Sequence, residues 1–389
     1  MECISRIHHR STRMKRLSFA FLLILASLSL TFAKDEDAIT IRIGAILPLN
    51  GPVSFMGAEQ RNVLVMAQQE INSRKTGPRV ELIFEDSKGG GSDAILAYDK
   101  LRRQNVKYVV TTLTAPSEAV KPLCERDRIV QVALSVHSDL SNSTKFMIRP
   151  YYGLADEMKL IASYIASQGG KRMATLYVNT PENDAAINQH LKNFLKAENI
   201  VIVGRRTYEF TDTSVQPQLE ALKSLNPDFI VTIDFGLMYP TILRQASALG
   251  IRDKILGGLG IMVTPPLPRE LSNGFTFAAS SFFVEPTRNY TRFARAYQAR
   301  YKSKVTFDGV YTYDALQILY HSLCHGGDTV SNLRNRAFHG ISGKITIDTT
   351  GSGHVAMDLG RFNNKGKIVR VTQARMANLR QLKKERPKQ

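Results

Sequence analysis

Two textures alternate along most of this chain: short apolar segments of strand length, and longer segments with apolar residues three and four positions apart. The first is typical of buried parallel strands and the second of amphipathic helices that cover them. Strands are predicted at 39–47, 79–85, 107–112, 129–134, 172–178, 200–207, 228–234, 254–257 and 275–281. Helices are predicted at 57–73, 92–105, 115–126, 153–168, 183–198, 213–225, 239–249, 289–302 and 309–325. The pattern predicts an α/β fold of parallel sheets flanked by helices.

After about residue 328 the sequence pattern changes to one typical of short β-strands separated by turns. Glycines bound a predicted strand within residues 340–351, and short strands are predicted at 355–359 and 367–371. No low-complexity linker divides the chain, although its length allows two domains. Two lobes joined by several strand crossings would account for this, because no single linker then exists.

The N-terminus has the pattern of an export signal. Residues 10–16 carry four positive charges, and residues 17–32 are almost wholly apolar. Thr31 and Ala33 are small residues at the two positions that a signal peptidase reads. The apolar run is too short to span a membrane and is followed at once by charged residues. We therefore predict that residues 1–33 are removed and that the protein is periplasmic.

The net charge of +18 indicates less about partners than its size suggests. Half of it lies in the leader and in a basic C-terminal tail, residues 374–389. The rest is spread without a basic stripe or a nucleic-acid-binding module, so no nucleic-acid partner is predicted. The simplest interpretation of the remaining positive charge is a basic surface that attracts anions or an acidic membrane face.

Three cysteines are present, and Cys3 leaves with the predicted leader. We predict that Cys124 and Cys324 are two separate buried thiols, with a disulfide between them as the alternative. His321 and His325 are spaced as a metal half-site, but they end a helix, where histidine is favourable for its charge alone. The sequence contains no nucleotide-binding or nucleophile motif, and it predicts no metal, no cofactor and no enzymatic activity.

Six signposts in order resemble one known family. They are the loop at 44–52, Gly57 with the helix end at 67–72, Asp86 with the helix at 94–101, Leu243 to Gly250, Tyr313 to Ala315, and the glycines at 340–351. Over roughly residues 39–372 the chain resembles the type I periplasmic binding proteins of branched-chain amino-acid ABC transporters. The resemblance implies two Rossmann-like lobes joined by three crossings, with a small-molecule ligand in the cleft between them. It also implies closure around the ligand, recognition by an inner-membrane ABC permease, and a monomer.

The three crossings are expected near Arg149, at 274–281 and at 340–343. These positions assign residues 39–148 and 282–335 to the first lobe. They assign residues 149–281 and 336–373 to the second lobe.

In the first lobe the resemblance implies a ligand carboxylate held by the turn after the third strand, at Thr112, Thr114 and Ala115. Unpaired N–H groups at a helix start suit an anion on physical grounds also. Thr114 or Ser117 can equally cap its own helix, and the two roles are compatible. The next turn offers Ser135 and His137. Phe55 and Met56 are expected in a loop against the ligand, and Tyr151 either walls the cleft or packs in the hinge.

The second lobe departs from the family pattern. Asn183 stands where a cleft tyrosine and glycine are usual, Phe235 supplies an expected aromatic ring, and Leu259 replaces the acid that would accept a ligand ammonium. A buried ammonium without an anion is costly. Unless Glu182, Asp184 or Asp234 substitutes, the pocket therefore suits an aromatic or aliphatic carboxylate without an amino group.

The sequence predicts a solute-binding protein of an ABC importer that takes a small carboxylate. The second hypothesis is a ligand-sensing module that reports to a membrane receptor. An exported enzyme is the third, and it is disfavoured because no nucleophile–base pair is present.

Overall fold

The computed structural model describes residues 39–262, 267–326 and 329–371, so the predicted leader and basic tail lie outside the described residues. The strands are β1 Thr40–Leu47, β2 Arg79–Asp86, β3 Tyr108–Thr112, β4 Val130–Leu134, β5 Met147–Ile148, β6 Arg172–Val178, β7 Val201–Tyr208, β8 Phe229–Ile233, β9 Ile255–Gly257, β10 Thr276–Ser280, β11 Arg336–Gly340, β12 Gly343–Ile347, β13 Gly353–Val355, β14 Met357–Phe362 and β15 Ile368–Arg370. The helices are α1 Ser54–Asn72, α2 Gly91–Arg103, α3 Thr114–Asp127, α4 Leu154–Ser167, α5 Pro181–Ala185, α6 Lys192–Ala197, α7 Gln216–Ser224, α8 Tyr239–Ala248, α9 Arg269–Ser272, α10 Ser281–Val284, α11 Arg288–Tyr301, α12 Phe307–His325 and α13 Thr329–Leu333. The described part of the chain contains no helix long and apolar enough to cross a membrane.

The first sheet is parallel throughout, with strand order β2-β1-β3-β4-β5. Strand β4 is buried along its whole length and β3 nearly so, as expected for strands inside a parallel sheet that is covered on both faces. From β1 the chain adds β2 on one side of the sheet and then β3, β4 and β5 on the other side. This change of side opens a crevice at the carboxyl ends of β1 and β3.

The second sheet has the order β15-β14-β10-β9-β8-β6-β7. Strands β6 to β10 are parallel to one another; β14 pairs antiparallel with β10, and β15 pairs antiparallel with β14. Strand β6 spans the predicted residues, Arg172–Val178. The predicted α/β fold with helix-flanked parallel sheets is confirmed.

Strands β11, β12 and β13 form a small antiparallel sheet that packs on the first sheet's core. Ile345 and Ile347 of β12 are fully buried in one hydrophobic cluster with residues of α1 and α12. After β10 the chain returns to the second sheet only at β14. This packing favours a lobe boundary between Val355 and Met357 in place of the one at residue 336, and the division into lobes stays a prediction.

A fully buried arginine holds two connecting segments together. The Arg149 guanidinium donates to the carbonyl oxygens of Ser135, Tyr151 and Tyr152 at 3.0, 2.9 and 2.8 Å. It also donates to Ser352 Oγ at 2.7 Å and the Gly353 carbonyl at 3.0 Å. Burial lowers the pKa of Arg149 to about 10, which leaves the guanidinium charged at neutral pH. The segment around Arg149 and the start of β13 are therefore held together by one side chain.

Three local predictions are wrong. Helix α1 begins at Ser54, so Phe55 and Met56 lie in its first turn and not in a loop. The predicted helix at 183–198 is divided by a π-helical turn at Ala186–Leu191, and it begins at Pro181, where the Thr180 side chain accepts the Asn183 N–H. Cys124 and Cys324 are both free, as favoured, but Cys324 is exposed.

Candidate ligand cleft

A cleft lies between the carboxyl ends of the two parallel sheets. The turns after β3 and β4 form one wall, and the segments after β8 and β9 form the opposite wall. The space among them measures about 700 Å3, including its mouth that is open to solvent. Its lining consists of Met56, Gln60, Thr112, Leu113, Thr114, Leu134, Ser135, Val136, Tyr151, Tyr152, Leu154, Glu157, Glu182, Ile233, Asp234, Phe235, Gly260, Phe307 and Asp308.

The start of helix α3 faces this space. Leu113 precedes the helix with φ 68° and ψ 161°, a conformation that a branched side chain rarely adopts and that is found where function imposes strain. Thr114 Oγ1 lies 3.1 Å from Ser135 Oγ, so the turns after β3 and β4 are joined by a hydroxyl pair. In the part of the chain that the structure describes, no side chain caps α3, and Ser117 instead bonds Thr111. The capping interpretation is therefore wrong, and the first amides of α3 remain available to an anion.

A chain of hydrogen bonds runs below the cleft to a buried carboxyl. Thr112 Oγ1 donates to Gln60 Oε1 at 2.9 Å, and Gln60 Nε2 donates to Asp308 Oδ1 at 3.1 Å. The Tyr151 hydroxyl donates to the same oxygen at 2.6 Å. Asp308 Oδ2 is buried and has no hydrogen-bond partner among the described residues. Burial raises the pKa of Asp308 to about 6. One oxygen of this carboxyl is thus satisfied and the other is not.

A second buried carboxyl comes from α4. Glu157 is 1% exposed, and its Oε1 accepts the Leu259 N–H at 2.8 Å. Burial raises the pKa of Glu157 to about 7. Gly258 makes room for this carboxyl, because a Cβ there would lie 2.4 Å from Glu157 Oε1. The acid therefore sits against the backbone of the β9 turn.

The segment after β8 contributes Asp234 and Phe235. Asp234 Oδ2 accepts the Met238 N–H at 2.9 Å, and burial raises the pKa of Asp234. The ring of Phe235 lies 5.4 Å from that of Phe210. Gly260 is required where these turns meet, because a Cβ would overlap the Asp234 carbonyl oxygen. This wall is acidic and aromatic.

Aromatic rings close the inner end of the cleft. The ring of Tyr152 lies 5.1 Å from that of Tyr151 and 5.4 Å from that of Phe307. Both tyrosines are buried and also line the cleft. The two roles weighed for Tyr151, cleft wall and hinge packing, are compatible.

The structure brings about half of the predicted site residues to the cleft lining. Met56, Thr112, Thr114, Ser135, Tyr151 and Phe235 line it.

The others lie elsewhere for identifiable reasons, and their roles in binding stay predictions. Phe55 is 46% exposed in the first turn of α1, and Ala115 lies one residue inside α3. His137 points to Glu118, with Nδ1 3.0 Å from its carboxylate. Asn183 is buried and donates to the Val178 carbonyl, and Leu259 is buried in the first hydrophobic cluster.

Sequence reasoning missed Gln60, Glu157 and Asp308. A usable signal was present for Glu157, because it lies on the apolar face of α4 between Leu154 and Ile161. A charge on that stripe is unusual unless it is paired or functional. Glu182 and Asp234, considered as substitutes for the missing acid, do line the cleft; Asp184 instead bonds Tyr177.

Residues 40–367 match the family model described as periplasmic binding protein. The Leu/Ile/Val-binding protein of Escherichia coli (strain K12) is 21% identical over 273 residues, which are 69% of this chain and 73% of that protein. The leucine-, isoleucine-, valine-, threonine-, and alanine-binding protein of Pseudomonas aeruginosa is 21% identical over 355 residues, 87% of this chain and 92% of that protein.

Solved structures of two kinds share the fold. The solute-binding protein of an ABC transporter from Rhodopseudomonas palustris BisB5, in complex with 3,4-dihydroxybenzoic acid, has a TM-score of 0.76 at 17% identity, covering 85% of this chain and 96% of its own. The branched-chain amino acid transporter substrate-binding protein of Streptococcus pneumoniae, in complex with isoleucine, has a TM-score of 0.73 at 20% identity, covering 85% and 97%. One of these proteins holds an acid without an amino group and the other holds an amino acid.

Proposed function

Because the chain belongs to the periplasmic binding protein family, among the type I proteins related to the branched-chain amino-acid-binding proteins, we propose that it is the extracytoplasmic solute-binding protein of an ABC importer. It binds a small carboxylate in the cleft, either a branched-chain or related amino acid or a non-amino aromatic or aliphatic acid. It is a non-enzymatic periplasmic monomer, and its partner is an inner-membrane ABC permease.

The observation that carries this proposal is the start of α3. Its free amides, together with the Thr114 and Ser135 hydroxyls 3.1 Å apart, open on a cleft with apolar and aromatic walls. Helix N-termini and hydroxyls are the groups that hold a carboxylate without a cationic side chain. The remaining walls suit an aliphatic or aromatic body.

A thermal-shift screen of the purified protein against amino acids, aromatic acids and short aliphatic acids tests the proposal. A ligand present at 100 times its Kd stabilises the folded state by about 2.7 kcal/mol and raises Tm accordingly. Absence of any shift across these classes would contradict a carboxylate-binding function.

The double variant Thr114→Ala/Ser135→Ala tests the location. It removes the hydroxyl pair, and we expect the hit from the screen to bind about 10- to 100-fold more weakly, since hydrogen bonds to a charged group contribute about 1.5–3 kcal/mol each. The matched control is Ser224→Ala/Thr291→Ala, whose hydroxyls donate to helix carbonyls away from the cleft. Equal affinities of the two variants would place the ligand elsewhere.

An experiment in cells distinguishes a role in transport from a role in sensing. Deletion of the gene should abolish uptake of the radiolabelled ligand if the protein serves an importer. Unchanged uptake with loss of a transcriptional or chemotactic response to the ligand would favour the sensing alternative.

A further inference from the structure

Helix α11 carries a row of arginines on its outer side. Arg288, Arg292 and Arg295 follow one another at intervals of four and three residues, so they lie on the same side of the helix, and all three are exposed. No residue from 288 to 304 is acidic. The exposed positions of this segment carry three further cations, which are Arg300, Lys302 and Lys304. Together these six cations form the basic face of α11. Positive charge that is spread along the sequence is thus gathered on one surface, and the expectation of no basic stripe is wrong.

The opposite side of α11 is fixed to the core. Phe293 and Tyr297 are buried in the same hydrophobic cluster as residues of α1 and α12. The ring of Phe293 lies 4.7 Å from that of Tyr313 on α12, and the Tyr301 hydroxyl donates to the Asn62 carbonyl of α1 at 3.1 Å. These contacts set the rotation of the helix and hold the arginine row toward solvent. None of residues 288–304 lines the cleft, so the basic face is separate from the candidate ligand site.

The basic face is not neutralised by the fold. Among the described residues, no carboxylate forms an ion pair with any of its six cations. Glu285, three residues before α11, pairs with Arg370 at 2.9 Å, and Glu70 on the neighbouring helix α1 lies 3.6 Å from Arg74. Like charges three and four residues apart on a helix repel one another. An external anionic surface would relieve this repulsion and be attracted by the whole face.

The composition of the basic face indicates the class of its partner. Guanidinium groups pair with phosphate oxygens through two N–H groups at once. The exposed large apolar side chains of the described chain all lie on other elements, so the face lacks the apolar centre of a protein–protein interface. None of its exposed positions is aromatic, so it offers no ring on which a nucleic-acid base could stack. A layer of phosphate headgroups requires neither feature.

We propose that the basic face of α11 is a docking surface for a bilayer that contains anionic phospholipids. The protein lies on the bilayer without inserting, because the apolar side of α11 is buried in the core and only charged groups meet the headgroups. Such binding is reversible and weakens with salt. The proposal goes beyond the solute-binding function, since it does not involve the cleft. For an exported binding protein, it means retention at the membrane in which the permease lies.

Cosedimentation with phospholipid vesicles tests the proposal, using the purified protein with its basic C-terminal tail. Vesicles of phosphatidylcholine alone are compared with vesicles that contain about 30% phosphatidylglycerol, at about 0.05 M and about 0.5 M NaCl. We expect binding to the anionic vesicles at low salt, binding at least about tenfold weaker at high salt, and none to the neutral vesicles. Equal binding to the two kinds of vesicle, or binding to neither, would overturn the proposal.

The variant Arg288→Gln/Arg292→Gln/Arg295→Gln locates the contact. Each cation close to an anionic surface strengthens binding about fivefold, so we expect the variant to bind the anionic vesicles about 100-fold more weakly than the wild type. All three side chains are exposed, and an unchanged circular dichroism spectrum and Tm confirm that the variant is folded. Its affinity for the solute should be unchanged, because none of the three residues lines the cleft.

The matched control is Lys192→Gln/Lys196→Gln/Arg205→Gln, which removes the same net charge from exposed positions of α6 and β7. We expect this control to bind the anionic vesicles within about threefold of the wild type, because charges beyond a Debye length from the contact are screened. Equal losses in the two variants would assign the binding to net charge alone. No loss in either variant would assign it to another surface, such as the basic tail. Either result would overturn the proposal.

Two soluble polyanions distinguish a bilayer from partners of another class. A single-stranded DNA oligonucleotide and polyglutamate are compared with the anionic vesicles at equal concentrations of negative charge. Weaker binding of both polyanions supports the bilayer. Tighter binding of either one, lost in the arginine variant, would assign the basic face to nucleic acid or to an acidic protein and overturn the proposal. The solute screen is independent of these measurements, so failure of the membrane contact leaves the solute-binding function intact.

Discussion

Helix α12 carries two aspartates six residues apart, and their surroundings differ. Both are almost fully buried, and burial raises the pKa of each to about 6. Asp314 accepts the Ile341 N–H at 2.8 Å, the Ser342 N–H at 2.9 Å and the Ser342 hydroxyl. Asp308 has one oxygen without a partner, beside the cleft. A buried carboxyl whose acceptors are all used holds the fold together, whereas one with an unsatisfied oxygen at the edge of a cleft is a group that the fold alone does not account for.

The turn that Asp314 holds is shaped around it. A Cβ on Gly340 would lie 2.2 Å from the Asp314 carboxyl. The hairpin between β11 and β12 is thereby joined to the helix that also forms one wall of the cleft. Asp308 beside the cleft and Asp314 in the scaffold lie on the same helix, and they differ in whether both carboxyl oxygens accept a hydrogen bond.

The largest effect is expected at Arg149, a buried charge whose two terminal nitrogens donate five hydrogen bonds. Arg149→Met keeps much of the side-chain volume but leaves four carbonyl oxygens and Ser352 Oγ without their donor. We expect the free energy of unfolding to fall by about 3–5 kcal/mol, measured by urea denaturation. A loss below about 1 kcal/mol would mean that the number of hydrogen bonds to a buried charge does not identify scaffold residues here.

The two aspartates give a direct test by the same substitution. In Asp314→Asn the amide faces donors from residues 341 and 342, and we expect a loss of about 2–4 kcal/mol in unfolding free energy. In Asp308→Asn the remaining oxygen still accepts from Gln60 and Tyr151, and we expect a change within about 1 kcal/mol. Equal losses in the two variants would erase the distinction between them.

The pH dependence of stability also distinguishes the carboxyls beside the cleft from Asp314. Glu157 and Asp308 have folded-state pKa values raised above those of the unfolded chain, so the folded state binds more protons. The ligand-free protein therefore loses stability as pH rises from about 4.5 to 7, on the order of 1–3 kcal/mol from these groups. The double variant Glu157→Gln/Asp308→Asn should lack this loss while keeping the part due to Asp314. Parallel curves for wild type and variant, in chemical denaturation at several pH values, would contradict the prediction.

The smallest effect is expected at a half-buried pair of contacts. His354 Nδ1 lies 2.9 Å from Asp156 and Nε2 lies 3.2 Å from Asp348, which join α4 to the turn before β13. The hydrogen bond to Asp156 raises the pKa of His354. This stabilisation is complete below about pH 6.5 and is lost as pH rises through the raised pKa; solvent exposure limits it to under about 1 kcal/mol.

His354→Asn should therefore reduce stability at pH 5.5 and leave it unchanged at pH 8.5. The control is His339→Asn, which alters an exposed histidine on β11. A loss in His354→Asn that is equal at both pH values would show that the contact is not electrostatic.

Local pattern was enough for most of the elements but not for their ends. The apolar runs predicted β6 without error and most helices to within a few residues. Helix α1 begins at Ser54, before the predicted start at residue 57, because Gly51 and Pro52 suggest a longer loop than the one that forms. The contact of Phe55 with the ligand, which the family resemblance implies, stays a prediction. The wall of the cleft with Thr114 and Ser135 was predictable, since both residues follow buried strands. The acidic side was not, apart from Glu182 and Asp234.

Two kinds of information meet in this protein. The sequence by itself determined the alternation of strands and helices, the family, and the turn that begins α3, because these depend on periodicity and on residues close together in the chain. Only the tertiary structure decided which buried charges are complete, since Gln60 meets Asp308 across 248 residues and Glu157 meets Leu259 across 102. A charge on an apolar helix face has the same appearance in sequence whether its partners come from the fold or from a ligand. The fold supplies those partners to Asp314 and withholds one from Asp308, because long-range packing, and not local pattern, sets which donors reach a buried oxygen.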